Sequence, residues 1–190
     1  MLPPANPSAP NPVQDRRLAA LSPAIALCAA LMLVAGCSSV TVAPPAAVSS
    51  PAPASPYFAL DDSAQTQEMV LFALGLLDTG YRFGGRNPDA GLDCSGMVAY
   101  IVEQVSGRRL PHNAAQIAAR TRPIRHDALK PGDLVFFNTR QRAHSHMGIY
   151  IGDGKFVHAP SSRGVVRIER LDNRYVAPRL DGLRSLLSSG

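Results

Sequence analysis

Of the three cysteines, Cys28, Cys37 and Cys94, only Cys94 falls outside the apolar and proline-rich N-terminal third of the chain. It stands in Asp93-Cys94-Ser95-Gly96, where a glycine-rich stretch gives way to a helical pattern. A thiol at that point feels the partial positive charge of a helix N-terminus, which favours thiolate. Free backbone N–H groups in the same turn can hold a developing oxyanion. The position suits a buried structural cysteine as well, because free cysteine is among the most buried residues. A cysteine nucleophile needs a base, most often histidine, and five are available: His112, His126, His144, His146 and His158. His126, between Arg125 and Asp127, reads as solvated, and His144, in the polar stretch 140–145, reads as a bystander. His112 follows Pro111 and either lines a cleft or caps a helix. Only His146 and His158 fall on predicted strands.

Whether those two imidazoles meet depends on the hairpin between them. His146, Gly148 and Tyr150 share one strand face, and Met147, Ile149 and Ile151 the other. A two-residue Asp153-Gly154 turn alone sets His158 opposite Ile149, on the wrong face. A three-residue Gly152-Asp153-Gly154 loop sets His158 opposite Gly148, so that the imidazoles become diagonal neighbours about 7–8 Å apart at the backbone. The three-residue loop is therefore expected, with Gly148 leaving room between the rings. Two other readings stand beside this one: both histidines as ordinary strand residues, or a zinc site from Cys94, His146 and His158. The second lacks tight ligand spacing and a clear fourth ligand.

The elements that must hold these residues are legible from periodicity. Residues 64–77 read as a helix capped by Asp62 or Ser63 and stopped by Thr79-Gly80. Its apolar face would carry Met69, Val70, Phe72, Ala73, Leu76 and Leu77. Residues 81–92 form a turn-rich connection, 94–105 a second helix ended by Ser106-Gly107, and Pro111 opens a short third. After the turn 129–133 the period becomes that of strands, at 134–137, 146–151, 155–159 and 165–171. Helices followed by a run of short antiparallel strands define an α+β domain.

Of 190 residues, the first 60 hold most of the 17 prolines and only three charges, Asp15, Arg16 and Arg17. One domain spanning 64–190 remains, large enough to build a core without disulfides. The net charge of +5 comes mostly from arginine; Lys130 and Lys155 are the only lysines. With no basic run and no aromatic interleaving, nucleic-acid binding is not expected. Arg16-Arg17, the apolar run 18–34 and the small residues Ala35-Gly36 before Cys37 make a secretory signal, too short for a bilayer span of about 20 residues. Residues 33–37 resemble the lipobox of bacterial lipoproteins. That likeness implies a signal peptide over 1–36, a diacylglycerol on Cys37 and, with Ser38 following, an outer-membrane anchor facing the periplasm. Residues 37–63 then form an Ala/Pro/Ser-rich tether whose stretched 26-residue run from Ser38 would reach roughly 80 Å.

Taken together, several motifs resemble the NlpC-type papain-like cell-wall endopeptidases. They are Tyr81-Arg82-Phe83-Gly84-Gly85, Asp93-Cys94-Ser95-Gly96, Leu110-Pro111, the 129–137 run from Leu-Lys-Pro-Gly-Asp into Leu134-Val135-Phe136-Phe137, His146-Met147-Gly148-Ile149-Tyr150-Ile151-Gly152 and Phe156-Val157-His158-Ala159. The resemblance covers residues 65–180. It implies a papain-like core with N-terminal helices packed on an antiparallel sheet, Cys94 as nucleophile, His146 as general base and His158 as the orienting third group. It further implies Tyr81 beside the oxyanion, and Asp93 and Ser95 at the free amino end of a stem peptide. The implied substrate is peptidoglycan, cut between γ-D-glutamate and meso-diaminopimelate, with no metal or cofactor. A same-fold amidase or acyltransferase acting on another wall bond, and a non-catalytic wall-binding lipoprotein, are the alternatives. Any targeting beyond the lipid would need an adaptor protein. His112-Asn113, where the family commonly has Arg then Thr or Ser, bears on substrate preference; Ala177-Pro178 replaces a small Gly-Ala pair.

Overall fold

The computed structural model describes residues 55–161 and 164–188. The expected signal peptide, Cys37 and most of the expected tether lie outside the described residues. Three helices carry the N-terminal half: α1 (Ser63–Gly75), α2 (Cys94–Ser106) and α3 (Ala114–Arg120). Each is opened by a side-chain cap. Asp62, Asp93 and Asn113 accept the backbone N–H of Gln65, Gly96 and Gln116, respectively, satisfying a donor that has no partner within the helix. The third helix thus begins at Ala114 rather than at Pro111, because Asn113 is the residue whose side chain can cap it. The first ends at Gly75, ahead of Thr79-Gly80, and turns away through Asp78 at φ 67°.

The strands are β1 (Arg86–Asn87), β2 (Gly91–Leu92), β3 (Arg122–Pro123), β4 (Leu134–Phe137), β5 (His146–Gly152), β6 (Lys155–His158), β7 (Arg167–Arg170) and β8 (Leu180–Ser185). β1 and β2 form a small hairpin, and the other six make one antiparallel sheet in the order β3-β8-β4-β5-β6-β7. The seventh strand is shorter than the 165–171 expected, Val165 instead bridging Gly80. β8 is absent from the sequence reading, yet it pairs with both β3 and β4. The chain joins the core at Leu60, 2% exposed, whose N–H donates to the Leu186 carbonyl.

β4 is buried along its whole length. Its alternate residues serve two cores. Leu134 and Phe136 join Met97, Ile101, Met147 and Ile149 beneath the helices, while Val135 and Phe137 meet Phe156 and Val176 on the opposite sheet face. β5 follows the same alternation, so Met147 and Ile149 face the helices and His146 faces the second core. Burying large side chains of this kind stabilises by about 1.5–3 kcal/mol each.

Candidate active site

The β5–β6 hairpin brings His146 and His158 together by a route other than the expected loop. The turn has two residues, Asp153 (φ 51°) and Gly154 (φ 68°), the left-handed pair of a type I′ turn. Gly152 pairs with Lys155, but Tyr150 pairs with Phe156 and Ile149 with Val157, so Ile151 is bulged out of the ladder. The bulge adds the one residue of register that the turn lacks. His158 therefore faces Gly148, and His146 Nε2 lies 2.7 Å from His158 Nδ1. Gly148 is the spacer. A Cβ there would sit 2.6 Å from the Val157 carbonyl oxygen and 3.2 Å from His158 Cβ. Gly148→Ala is accordingly expected to push β6 away, costing about 1–3 kcal/mol in urea unfolding, and to slow turnover by parting the two rings.

Both imidazoles are buried, at 8% and 6% exposure. Phe137 and Phe156 pack against them, with ring centroids 6.1 Å and 4.9 Å away. Burial depresses the His146 pKa to about 4, aided by the positive charge of Arg140, and that of His158 to about 3, aided by His146 itself. Both are therefore neutral at pH 7. Since Nε2 of His146 is taken by His158, Nδ1 is the nitrogen left for the cleft. His158 Nε2 is buried without a hydrogen-bond partner among the described residues.

Cys94 opens α2, as expected, but the thiol is not activated at rest. Burial and the neighbouring Asp93 carboxylate push it up to about 11, outweighing the N–H groups of Met147, Ser95 and Cys94 that favour thiolate. The helix terminus is thus overridden by desolvation and one like charge.

Asp93 is the most heavily bonded side chain of the site. Its Oδ1 accepts from the Gly96 N–H at 2.7 Å and the Ser95 hydroxyl at 3.0 Å, and its Oδ2 from the Gly84 N–H at 3.0 Å. His112 Nε2 also lies 2.9 Å from Oδ1. Arg86 Nε, which can only donate, lies 2.6 Å from His112 Nδ1. That fixes the His112 proton on Nε2, pointing at Asp93. Burial raises the Asp93 pKa, but these bonds outweigh it and hold the carboxyl below its usual range. His112 is therefore neither a helix cap nor a free base; it ties the glycine-rich loop to the start of α2.

Tyr81, Asp93, Cys94, Ser95, His112 and His146 line one cleft of about 330 Å³. His158 stands behind His146 and does not line it. Burial, Asp93 and Cys94 raise the Tyr81 pKa, while Arg140 opposes them. The opposite wall escaped the sequence reading: Thr139, Arg140, Arg142, His144 and Ser145 of the β4–β5 connection. His144, read as a bystander in a polar connection, lines this wall. Its ring sits edge-on to Phe136 at 5.3 Å, and its Nε2 is buried without a partner among the described residues. Nothing in the local pattern 138–145 distinguishes these residues from an ordinary polar loop.

A cleft bounded by a helix-start cysteine and a strand histidine backed by a second polar group defines a papain-like cysteine hydrolase architecture. The chain belongs to the NlpC/P60 family, whose pattern matches residues 78–185. It is 37% identical over 152 residues to the Escherichia coli protein named "Probable endopeptidase NlpC", covering 76% of this chain and 86% of that one. It is 37% identical over 127 residues to the Bacillus subtilis gamma-DL-glutamyl hydrolase, covering 66% of this chain and 30% of that one. The chain spans less than half the length of several curated relatives it matches. Among solved structures, the NlpC/p60 domain of the peptidoglycan hydrolase SagA superposes with a TM-score of 0.56 at 28% identity. That match covers 63% of this chain and 97% of that one.

Proposed function

We propose that this protein is a peptidoglycan hydrolase, a cysteine endopeptidase that cuts stem peptides at the γ-D-glutamyl–meso-diaminopimelate bond. The observation that carries the reading is the single cleft onto which Cys94 and His146 open, with His146 held from behind by His158 at 2.7 Å. Family membership and the names of the relatives support the substrate class.

In this reading the Cys94 sulfur attacks the scissile carbonyl carbon as its proton passes to His146 Nδ1. The neutral resting pair makes that transfer part of the attack rather than a prior step. Backbone N–H groups at the start of α2, with the Tyr81 hydroxyl, stabilise the oxyanion; losing one such donor would cost about 10²–10³ in rate. His146 then gives its proton to the departing amine as the C–N bond breaks. It next takes a proton from water, which attacks the thioester and releases the acid and the thiol. His158 orients His146 throughout. Asp93 and Ser95 border the acyl side, where the free amino end of the stem peptide is taken. Residues 1–36 act as a signal peptide, Cys37 carries the lipid, and 37–63 form the tether of a cell-envelope protein anchored at the outer membrane.

The test is product identity. Purified protein incubated with diaminopimelate-type muropeptides should release fragments ending in γ-D-glutamate together with peptides bearing a new diaminopimelate amino terminus, read by mass spectrometry. Cleavage at another wall bond would reassign it to the amidase or acyltransferase class. Intact muropeptides would support a binding role. The anchor is tested separately: globomycin should cause uncut precursor to accumulate in producing cells.

A further inference from the structure

We infer that Arg140 and Arg142 form a carboxylate-binding subsite that reads an acidic group flanking the scissile bond. The inference rests on the hydrolase reading above and adds to it the group by which substrates are sorted. Both arginines line the cleft. The loop that carries them is tied down: the Thr139 N–H donates to Ser145 Oγ at 2.9 Å, and the His144 N–H to Asp181 Oδ2 at 2.9 Å. The Ser145 hydroxyl in turn reaches the Phe137 carbonyl at 3.3 Å. The His144 ring is wedged between Phe136 and Gly182, where an added Cβ would come within 2.7 Å of its Nε2.

Several arginines of the described residues lack a carboxylate partner, and Arg140 and Arg142 are the ones among them that line this cleft. Arg108, Arg109, Arg125, Arg167 and Arg170 each pair with a carboxylate of the protein. Neither Arg140 nor Arg142 has such a partner among the described residues. The carboxylate that lines the same cleft, Asp93, already accepts from Gly84, Ser95 and Gly96 and pairs with His112. The cleft thus presents two guanidinium groups whose natural counterpart is a planar carboxylate, which arginine can hold through paired N–H donors.

A stem peptide of the proposed class offers that group on either side of the cut. One is the α-carboxylate of the γ-linked glutamyl residue; the other is the second carboxylate of the diamino acid. The site also couples binding to chemistry. After burial, the largest cause holding down the basicity of His146 is the Arg140 charge. A carboxylate seated on Arg140 offsets that charge, so an acidic substrate raises kcat and does not merely lower KM.

The experiment compares three synthetic peptides: L-Ala-γ-D-Glu-meso-diaminopimelate, the same peptide with its glutamyl α-carboxylate amidated, and the same peptide with the second diaminopimelate carboxylate amidated. Wild-type protein is expected to lose about 10- to 100-fold in kcat/KM on one amide, the range for a charge-assisted hydrogen bond, and that amide identifies the group read. Arg140→Gln/Arg142→Gln is expected to narrow the acid-to-amide ratio to within about threefold. Wild-type turnover of all three peptides at one rate, or an undiminished ratio in the double variant, would overturn the subsite while leaving the hydrolase standing. No turnover of any peptide by wild type would overturn both.

Discussion

Turnover by Cys94→Ala and by His146→Ala is expected to fall by about 10⁴-fold or more in each case, with the double variant no slower than either single. The reason lies in the resting state. A thiol pushed up to about 11 and an imidazole pushed down to about 4, both lining one cleft, hold one proton between them across most of the pH scale. Neither group is reactive alone, because the sulfur becomes nucleophilic only while His146 takes its proton. Groups acting as such a unit are non-additive, which single- and double-variant kinetics will read directly. A His146→Ala protein within tenfold of wild type would assign the base elsewhere in the cleft, with His112 and His144 the groups to examine. His158 enters differently, since among the described residues its hydrogen-bond partner is His146 and it does not line the cleft. His158→Ala should cost less, about 10²–10³-fold. His158→Asn should recover most of that loss, because the amide oxygen stands near the place of Nδ1 and can accept the His146 Nε2 proton.

Acid is expected to unfold the domain through those two rings. In the unfolded chain each imidazole protonates near pH 6.5. In the fold His146 resists until about 4 and His158 until about 3. Below pH 6.5 the unfolded chain therefore binds protons that the native protein does not. Stability fully present above 6.5 is lost as the pH falls toward the native values. Between pH 6.5 and 4.5 the loss is about 2–3 kcal/mol for each ring. Urea midpoints at the two pH values measure it, and His158→Asn, with one titrating ring fewer, should show the shallower slope. Equal slopes would place the acid sensitivity elsewhere.

The hairpin shows how far local pattern carries. Alternation assigned His146 and His158 to one face, and the requirement that they meet demanded one residue more than a tight turn supplies. The structure provides that residue as a bulge at Ile151, not as a third loop position. Local sequence does not separate the two solutions, because Gly152-Asp153-Gly154 suits both. α1 shows a different limit. Its apolar residues surround more of the helix than one face can bury: Met69 and Ala73 are enclosed, while Leu71 is 68% exposed. β8 was invisible for a third reason. Asp181, Gly182 and Arg184 break the apolar alternation, and the strand is defined by pairing with residues 43–63 positions earlier. The arginine wall of the cleft is legible only in three dimensions, since its significance is that Arg140 and Arg142 reach the cleft while its own carboxylate, Asp93, is held by other donors.

The place of β8 also sets the order in which the molecule can be assembled. The β4–β5–β6–β7 meander closes between neighbours in sequence. β3, however, reaches β4 only through a strand that follows every other element of the sheet. A nascent chain can form the meander and its helices, but β4 keeps an open ladder edge until residues 180–185 have been made. Completing the sheet is therefore a late, long-range event of the kind that slows folding.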